Sequence, residues 1–276
     1  MLFLATLRRW TRAVPAAALL GLAGCDLLEF SPNDHRVPEE FTNLTEKNLA
    51  KLQARPLAAG DTLRFVFTGD SQKFYDEAEE LVKSVNKLSG ISFLLVAGDI
   101  SDFGLAREMR WVDEKLRRLK VPYLTVVGNH DLVGNGRTTY QHIYGPLNYS
   151  FVYGDTKFVM VDTNGREYNF NGQIPDMGWL RLQLANLDGA RRQVVLSHVP
   201  PNNIDFDPAL EAPYAQALRD APGLVFGMNG HNHAYRLGEL YDDGVTYVNA
   251  DAFSEHHYMI VTVWGDRQFR VKRVEF

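Results

Sequence analysis

The strongest constraint on the fold is a pattern that recurs along the chain. Each time, a run of β-branched or aromatic residues typical of a buried strand ends in small or polar residues and then in a side chain that can bind a metal. The five runs end at Gly69-Asp70, Gly98-Asp99, Gly128-Asn129-His130, Ser197-His198 and Gly230-His231-Asn232-His233. Because such runs alternate with helical patterns, the chain is expected to form an α/β domain with a partly parallel sheet.

The helices are indicated by apolar residues at helical spacing. This spacing predicts helices over about residues 74–88 and 105–119, and a shorter one near 44–52. Asp176 is a typical N-cap for a further helix. Towards the C-terminus, residues 245–248, 258–263 and 269–274 resemble strands without intervening helices. The sheet is therefore expected to finish with antiparallel or mixed pairing.

The strand ends predict a metal site when they are taken together. In open α/β sheets, ligands bind outside the carboxyl ends of the strands, so these side chains are expected to meet at one edge. A single Gly-Asp turn or one histidine at a strand end is more often structural. The combination of carboxylate, amide and imidazole donors, however, suits divalent transition metals.

The ordered motifs resemble those of the calcineurin-like metallophosphoesterase family. That family has Asp-x-His, Gly-Asp-x-x-Asp, Gly-Asn-His-Asp/Glu, His and Gly-His-x-His, and the resemblance covers most of residues 61–276. It implies a two-sheet α/β/β/α sandwich with mixed sheets. It also implies hydrolysis of a phosphomonoester or phosphodiester at two divalent metal ions, through attack by a hydroxide that the two ions share.

The resemblance assigns roles to individual residues. It implies a ligand set with Asp70 and His233 on one metal, Asn129, His198 and His231 on the other, and Asp99 as the bridge. His130 would donate a proton to the leaving group, with Asp131 holding its orientation. Asp102 matches a carboxylate that orients a ligand or water, although the N-cap of the following helix is an equal alternative.

One position departs from the family pattern. The first motif normally has histidine where this chain has Gln72. A glutamine carbonyl is neutral like imidazole, but it supplies oxygen instead of nitrogen and should bind softer borderline ions less well. Manganese, iron or magnesium is therefore expected over zinc, and whether Gln72 is itself a metal ligand is left open.

The N-terminus predicts export and a lipid anchor. Three arginines precede an apolar run over residues 14–22, which is too short to span a bilayer, and Leu22-Ala23-Gly24-Cys25 follows. This sequence resembles the lipobox of bacterial lipoproteins, and Cys25 is the only cysteine of the chain. We expect a signal peptide over residues 1–24, a lipid-modified Cys25, a tether with a short helix over 25–60, and attachment to the bacterial cell envelope, on the periplasmic or outer face.

Charge restricts the substrate. A formal net charge of -5 gives no general attraction to a polyanion, so we expect a small phosphate ester and not a nucleic acid. Arg137 and Arg166 could reach a phosphate, but loop arginines are more often solvated. His256 and His257 could border the pocket in the same way, but an exposed pair in a loop is the more usual arrangement. No protein partner is evident. Two alternatives stay open, a non-catalytic metal-binding lipoprotein of the same fold and a phosphatase of phospholipids or envelope components.

Overall fold

The first strand explains the layering of the domain. In a computed structural model that describes residues 36–276, strand β1 (Leu63–Thr68) buries Phe65 and Phe67 in one hydrophobic cluster and Val66 in another. Successive strand side chains point to opposite faces of a sheet. A strand that is apolar at each of these positions must therefore be covered on both faces, as an internal strand of a layered α/β fold is.

The helices and strands have the following bounds. The α-helices are α1 (Leu44–Gln53), α2 (Tyr75–Val85), α3 (Ala106–Leu116), α4 (Gly136–Ile143), α5 (Met177–Ala185) and α6 (Glu211–Arg219). The remaining strands are β2 (Leu94–Val96), β3 (Tyr123–Thr125), β4 (Tyr149–Tyr153), β5 (Thr156–Val161), β6 (Arg192–Ser197), β7 (Leu224–Asn229), β8 (Arg236–Glu239), β9 (Thr246–Asn249), β10 (His257–Trp264) and β11 (Gln268–Glu275). Short 3₁₀ turns lie at Glu39–Phe41, His130–Leu132, Gly165–Tyr168 and Phe253–Glu255.

The strands form two mixed sheets. The first has the order β11-β10-β1-β2-β3, with β1, β2 and β3 parallel and the last two strands of the chain antiparallel. The second has the order β4-β5-β6-β7-β9-β8, with four central parallel strands and an antiparallel strand at each edge. The expected mixed pairing is confirmed, and strands β1, β2, β3, β6 and β7 all lead towards the metal-site motifs.

Three hydrophobic clusters define the layers. One lies between the sheets and includes Phe65, Phe93, Phe158 and Phe226. A second joins the outer face of the first sheet to α2 and α3, and a third joins the outer face of the second sheet to α5 and α6. This arrangement confirms the α/β/β/α sandwich.

Most helices and strands agree with the sequence-based expectations. The helices predicted over 74–88 and 105–119 are observed as α2 and α3, and the Asp176 side chain accepts a hydrogen bond from the Trp179 backbone N–H (2.9 Å) as the N-cap of α5. Strand β8 was not predicted. Its residues are mostly exposed, so the sequence there lacks the apolar alternation that marks a strand.

The part of the predicted 25–60 tether that lies within the described residues packs against the sandwich. Helix α1 buries Leu52 in the cluster between the sheets and Leu44 in the cluster beside α2 and α3. Its N-terminal end is joined to the end of α4 by a hydrogen bond from the Thr45 N–H to the Tyr144 carbonyl (3.1 Å). Within residues 36–276, no helix combines the length and apolar character needed to cross a bilayer. The predicted signal peptide and Cys25 lie outside the described residues.

Phe93 provides a test of how the two sheets are held together. Its fully buried ring stacks on Phe65 and meets Phe151, Tyr153 and Phe158 of the second sheet edge-on, at centroid distances of 5.2–6.2 Å. We expect Phe93→Ala to lower the free energy of unfolding by about 3–5 kcal/mol, because it leaves a cavity between the sheets. Urea unfolding measures this value. Phe103→Ala, at a ring that is 58% exposed, is the control and should lower the free energy of unfolding far less.

Candidate metal centre

The motif loops from both sheets meet at one edge of the sandwich. The Asp70 backbone N–H donates to the Gly98 carbonyl (3.1 Å), which joins the loops after β1 and β2. The Gly230 N–H donates to the His198 carbonyl (3.1 Å), which joins the loops after β6 and β7. The expected convergence of the strand ends is therefore present in the fold.

The predicted metal ligands form two groups of contacts. In one, Asp70 Oδ1 lies 3.2 Å from His233 Nε2. In the other, Asn129 Oδ1 lies 3.0 Å from both His198 Nε2 and His231 Nδ1. These are the two sets that the family resemblance assigns to separate metals.

Asp99 links the two groups. Its Oδ2 lies 3.2 Å from His198 Nε2, and ligand atoms of Asp70, Asp99 and His198 all lie within 4.8 Å of one another. All three side chains are buried. Two buried carboxylates beside imidazole donors fit divalent cations, because a cation supplies the positive charge that such carboxylates need away from water.

Gln72 adds an oxygen that has no partner. The residue is only 5% exposed, and within the described part of the chain its Oε1 atom is buried without a hydrogen bond. Its backbone N–H donates to the Asp99 carbonyl (2.9 Å), which keeps it next to the ligand loops. A buried amide oxygen without a partner is costly. This orphan acceptor therefore fits coordination of a cation or of a water bound to one.

Several of the predicted ligands have a strained backbone. The φ angles are 54° at Asp70, 51° at Asp99, 68° at His231 and 54° at His233, all in the left-handed region. Residues other than glycine rarely adopt this conformation, and each instance costs on the order of 1–3 kcal/mol. Such strain concentrates at functional sites, where the surrounding structure holds it.

Glycine is required where the ligand loops approach each other. A Cβ atom on Gly128 would lie 2.1 Å from both the backbone nitrogen and Oδ1 of Asp99. A Cβ atom on Gly98 would lie 2.7 Å from His198 Nδ1, and its φ angle is +87°. These contacts explain why glycine precedes the ligands after β2 and β3.

The charges of the cluster depend on one another. Burial disfavours the charged form of His198, but the adjacent Asp99 outweighs this effect and raises the pKa of His198 to about 10. Burial, followed by repulsion from His198, lowers the pKa of His231 to about 4. Burial and the nearby Asp99 raise the pKa of Asp131 to about 6. Titratable groups packed this closely are a common feature of functional sites.

His130 lies beside the Asp99 carboxylate. Its backbone N–H donates to Asp99 Oδ1 (2.9 Å), and its ring Nδ1 lies 2.9 Å from the Asp102 carbonyl oxygen. The Asp102 carboxylate is 3.7 Å from the same nitrogen. Helix α3 has Leu105 as its N-cap, so Asp102 does not cap it and instead contacts His130.

The expected role of Asp131 requires a correction. Its fully buried carboxylate does not orient the His130 ring through its hydrogen bonds, since these come from elsewhere. Oδ1 accepts from the N–H groups of Ile100 and Ser101 and from the Ser101 hydroxyl, and Oδ2 accepts from the Gly128 N–H, all at 2.8–2.9 Å. Asp131 therefore ties the loop after β2 to the loop after β3, because a buried carboxylate must satisfy both oxygens.

The residues left open as substrate contacts lie in different surroundings. Arg166 forms an ion pair with Asp205, and the Arg137 guanidinium stands 5.3 Å from the centre of the Tyr168 ring. His256 lies against Glu80 on helix α2, and the His257 ring bonds the carbonyl two residues before it. The structure gives neither histidine a contact with the ligand groups described above.

Asp205 was not identified from the sequence. Its Oδ2 lies 3.3 Å from His231 Nε2, on the side of the ring that faces away from Asn129. The residue occurs in the irregular segment after His198, where no motif or periodic pattern distinguishes it. Only the folded arrangement of two loops brings it to a ligand histidine.

Comparisons with known proteins identify the family. Residues 63–235 match the family described as calcineurin-like phosphoesterase, and the chain belongs to that family. A probable cyclic nucleotide phosphodiesterase of Xenorhabdus bovienii is 29% identical over 100 residues, which cover 36% of this chain and 37% of that protein. The alignment thus spans little more than a third of the relative's length.

Solved structures agree on the fold. PhoD superposes with a TM-score of 0.57 at 11% identity, over 80% of this chain and 69% of PhoD. GAP50, described as the anchor in the inner membrane complex of Plasmodium, superposes with a TM-score of 0.54 at 14% identity, over 78% of this chain and 89% of GAP50. The chain therefore has the fold and the family membership of a calcineurin-like phosphoesterase, and its clustered Asp70, Asp99 and His198 side chains could hold a metal ion.

The orphan oxygen of Gln72 leads to a prediction about metal preference. Replacing it by histidine (Gln72→His) supplies nitrogen, so the variant should bind Zn²⁺ more tightly relative to Mn²⁺ than the wild type does. Competition titrations with the two ions on metal-stripped protein measure the ratio of dissociation constants. Gln216→His, at an exposed position of α6, is the control. An unchanged ratio in Gln72→His would show that this side chain does not contact the metal site.

Proposed function

We propose that this protein hydrolyses a small phosphomonoester or phosphodiester at a centre of two divalent metal ions. The observation that carries this proposal is the division of the predicted ligands into two groups of contacts joined by Asp99. One group contains Asp70 and His233, and the other contains Asn129, His198 and His231.

These six side chains would hold the two ions, with Gln72 as a further oxygen donor to the first group. Two bound divalent cations would supply a hydroxide nucleophile at neutral pH and neutralise the charge on the phosphate oxygens. The mostly oxygen-based surroundings of the first group support manganese, iron or magnesium over zinc. The rigid loops hold the ligands before any substrate arrives, which reduces reorganisation during the reaction.

His130 would serve the leaving group in this proposal. Because its Nδ1–H is held by the Asp102 carbonyl, its Nε2 is the nitrogen left for the substrate. Its backbone is fixed to Asp99, so the ring stays beside the link between the two ligand groups. When the ring is in its imidazolium form, with a proton on each nitrogen, it would give the Nε2 proton to the departing oxygen of an ester and keep the Nδ1–H bond to the Asp102 carbonyl.

The substrate class is supported by charge and by the curated relative. The net charge of -5 favours a small ester over a nucleic acid. The partial likeness to a probable cyclic nucleotide phosphodiesterase supports a phosphodiester as one candidate. Guanidinium groups pair well with phosphate oxygens, which makes Arg137 a candidate contact, whereas Arg166 already pairs with Asp205.

A direct assay tests the proposed reaction. Metal-stripped protein resupplied with Mn²⁺, Fe²⁺, Mg²⁺ or Zn²⁺ should hydrolyse an aryl phosphomonoester or its phosphodiester analogue. The ratio of the two rates then separates monoesterase from diesterase activity. No turnover of either ester with any ion would contradict the proposal and favour a non-catalytic metal-binding protein of the same fold.

The role of His130 is tested separately from metal binding. His130→Ala should lower kcat by about 10²–10⁴-fold, the usual contribution of a positioned proton donor, while metal content stays unchanged. His142→Ala, at an exposed position of α4, is the matched control and should keep both properties. Loss of metal together with activity in His130→Ala would mean that the residue acts as a ligand instead.

Export and anchoring form the remaining part of the proposal, and they rest on the N-terminal sequence. A lipid on Cys25 would hold the enzyme at the cell envelope, where it would act on substrates outside the cytoplasm. The full chain expressed in bacteria with labelled palmitate should incorporate the label into the membrane fraction. Cys25→Ser should abolish incorporation, and label retained by this variant would rule out the assigned site.

A further inference from the structure

The two ring nitrogens of His231 have different surroundings. Nδ1 faces the ligand cluster, 3.0 Å from Asn129 Oδ1 and 3.3 Å from His198 Nε2. Nε2 faces the other way, 3.3 Å from Asp205 Oδ2. The ring is therefore placed between the candidate metal centre and a carboxylate that does not belong to the ligand set.

This arrangement selects one tautomer. Both nitrogens face an acceptor oxygen, the Asn129 amide oxygen at Nδ1 and the Asp205 carboxylate at Nε2. A neutral imidazole carries a single proton, and a charged carboxylate is the stronger acceptor, so Asp205 favours the tautomer with that proton on Nε2. The lone pair of Nδ1 is then free on the side of Asn129 and His198. A metal ligand needs such a lone pair, and a hydrogen bond on the opposite nitrogen is the usual means of providing it.

Asp205 is itself held firmly. Its backbone N–H donates to Asn203 Oδ1 (2.9 Å), and its carbonyl accepts from the Arg166 N–H (3.0 Å). Its Oδ1 forms an ion pair with the Arg166 guanidinium without a hydrogen bond, and its Oδ2 faces His231. The Asn203 amide also donates to Asn232 Oδ1 (2.9 Å), beside His231 in the chain. The loop that carries Asp205 is thus fixed to the loop that carries the ligand histidine.

We propose that Asp205 is a positioning residue of the metal centre, which fixes His231 in the tautomer with Nδ1 free and holds its ring towards Asn129. This role rests on the proposed two-metal function, but the contact itself exists whether or not the protein turns over an ester. Arg166 supports it from the second oxygen by keeping the carboxylate in place.

The tautomer provides a measurement that does not depend on catalysis. In ¹⁵N-histidine-labelled wild-type protein, the His231 imidazole should carry its proton on Nε2 alone, with its signals identified by their loss in His231→Gln. In Asp205→Ala, the signals should shift towards the tautomer with the proton on Nδ1, because the acceptor at Nε2 is gone and Asn129 Oδ1 still faces Nδ1. A wild-type pattern in folded Asp205→Ala would overturn the proposal.

Metal affinity provides the second measurement. Calorimetric titration with Mn²⁺ should show binding at one site weakened by about 10–100-fold in Asp205→Ala, the usual effect of removing a carboxylate behind a metal-bound histidine. Asp205→Asn keeps an acceptor oxygen, so its Mn²⁺ dissociation constant should lie between those of the wild type and Asp205→Ala. An unchanged dissociation constant in Asp205→Ala would also count against the proposal. If wild-type protein bound no Mn²⁺, the two-metal function would fail, while the tautomer measurement would still decide the role of Asp205.

The matched control is another buried carboxylate that pairs with an arginine. Asp113 on α3 accepts from Arg117 and from the Tyr123 hydroxyl. Asp113→Asn should lower thermal stability without changing the His231 tautomer or the Mn²⁺ affinity. Equal changes in Asp113→Asn and Asp205→Ala would indicate a general loss of stability and would contradict a specific role for Asp205.

Discussion

The candidate metal centre depends on how closely the backbone segments after β2 and β3 approach each other. Gly128 lies so near Asp99 that a single added methyl group would overlap both its backbone nitrogen and its carboxylate. Because of this approach, Asp99 can reach His198 and receive the His130 N–H at the same time. The parallel pairing of β1, β2 and β3 brings the loops to one edge, but the missing side chain at position 128 sets the final distance.

Asp131 stabilises this close approach. Its carboxylate collects hydrogen bonds from three N–H groups and one hydroxyl, which belong to the loops after β2 and β3. Hydrogen bonds to a charged group are stronger than those between neutral groups, and each contributes about 1.5–3 kcal/mol. These bonds hold the two loops together against burial and the repulsion from Asp99, which raise the pKa of Asp131. This structural role explains the residue without any contact to the reacting groups.

The sequence predicted the parts of the structure that repeat or match a pattern. Buried strands such as β1 are apolar at successive positions, helices such as α3 follow a 3.6-residue period, and ligands such as Asp70 and His231 follow glycine in recognisable motifs. What it did not predict depends on tertiary contacts between irregular loops. The bond between His130 and the Asp102 carbonyl uses the backbone, which any residue could supply. Asp205 contacts His231 from a different loop, and neither its residue type nor its spacing identifies it in the sequence as a residue of the site.

The strained backbone at the candidate ligands bears on whether the fold binds metal ions. Left-handed φ angles at Asp70, Asp99, His231 and His233 cost several kcal/mol together, which is a large part of the net stability of a typical domain. A fold that no longer bound metal would gain stability by relaxing any one of these positions. The same fold keeps a buried amide oxygen at Gln72 without a partner, which adds to the cost. Cations bound between the two ligand groups would interact favourably with all of these side chains, and this compensation accounts for why so much unfavourable geometry is concentrated at one edge of the sandwich.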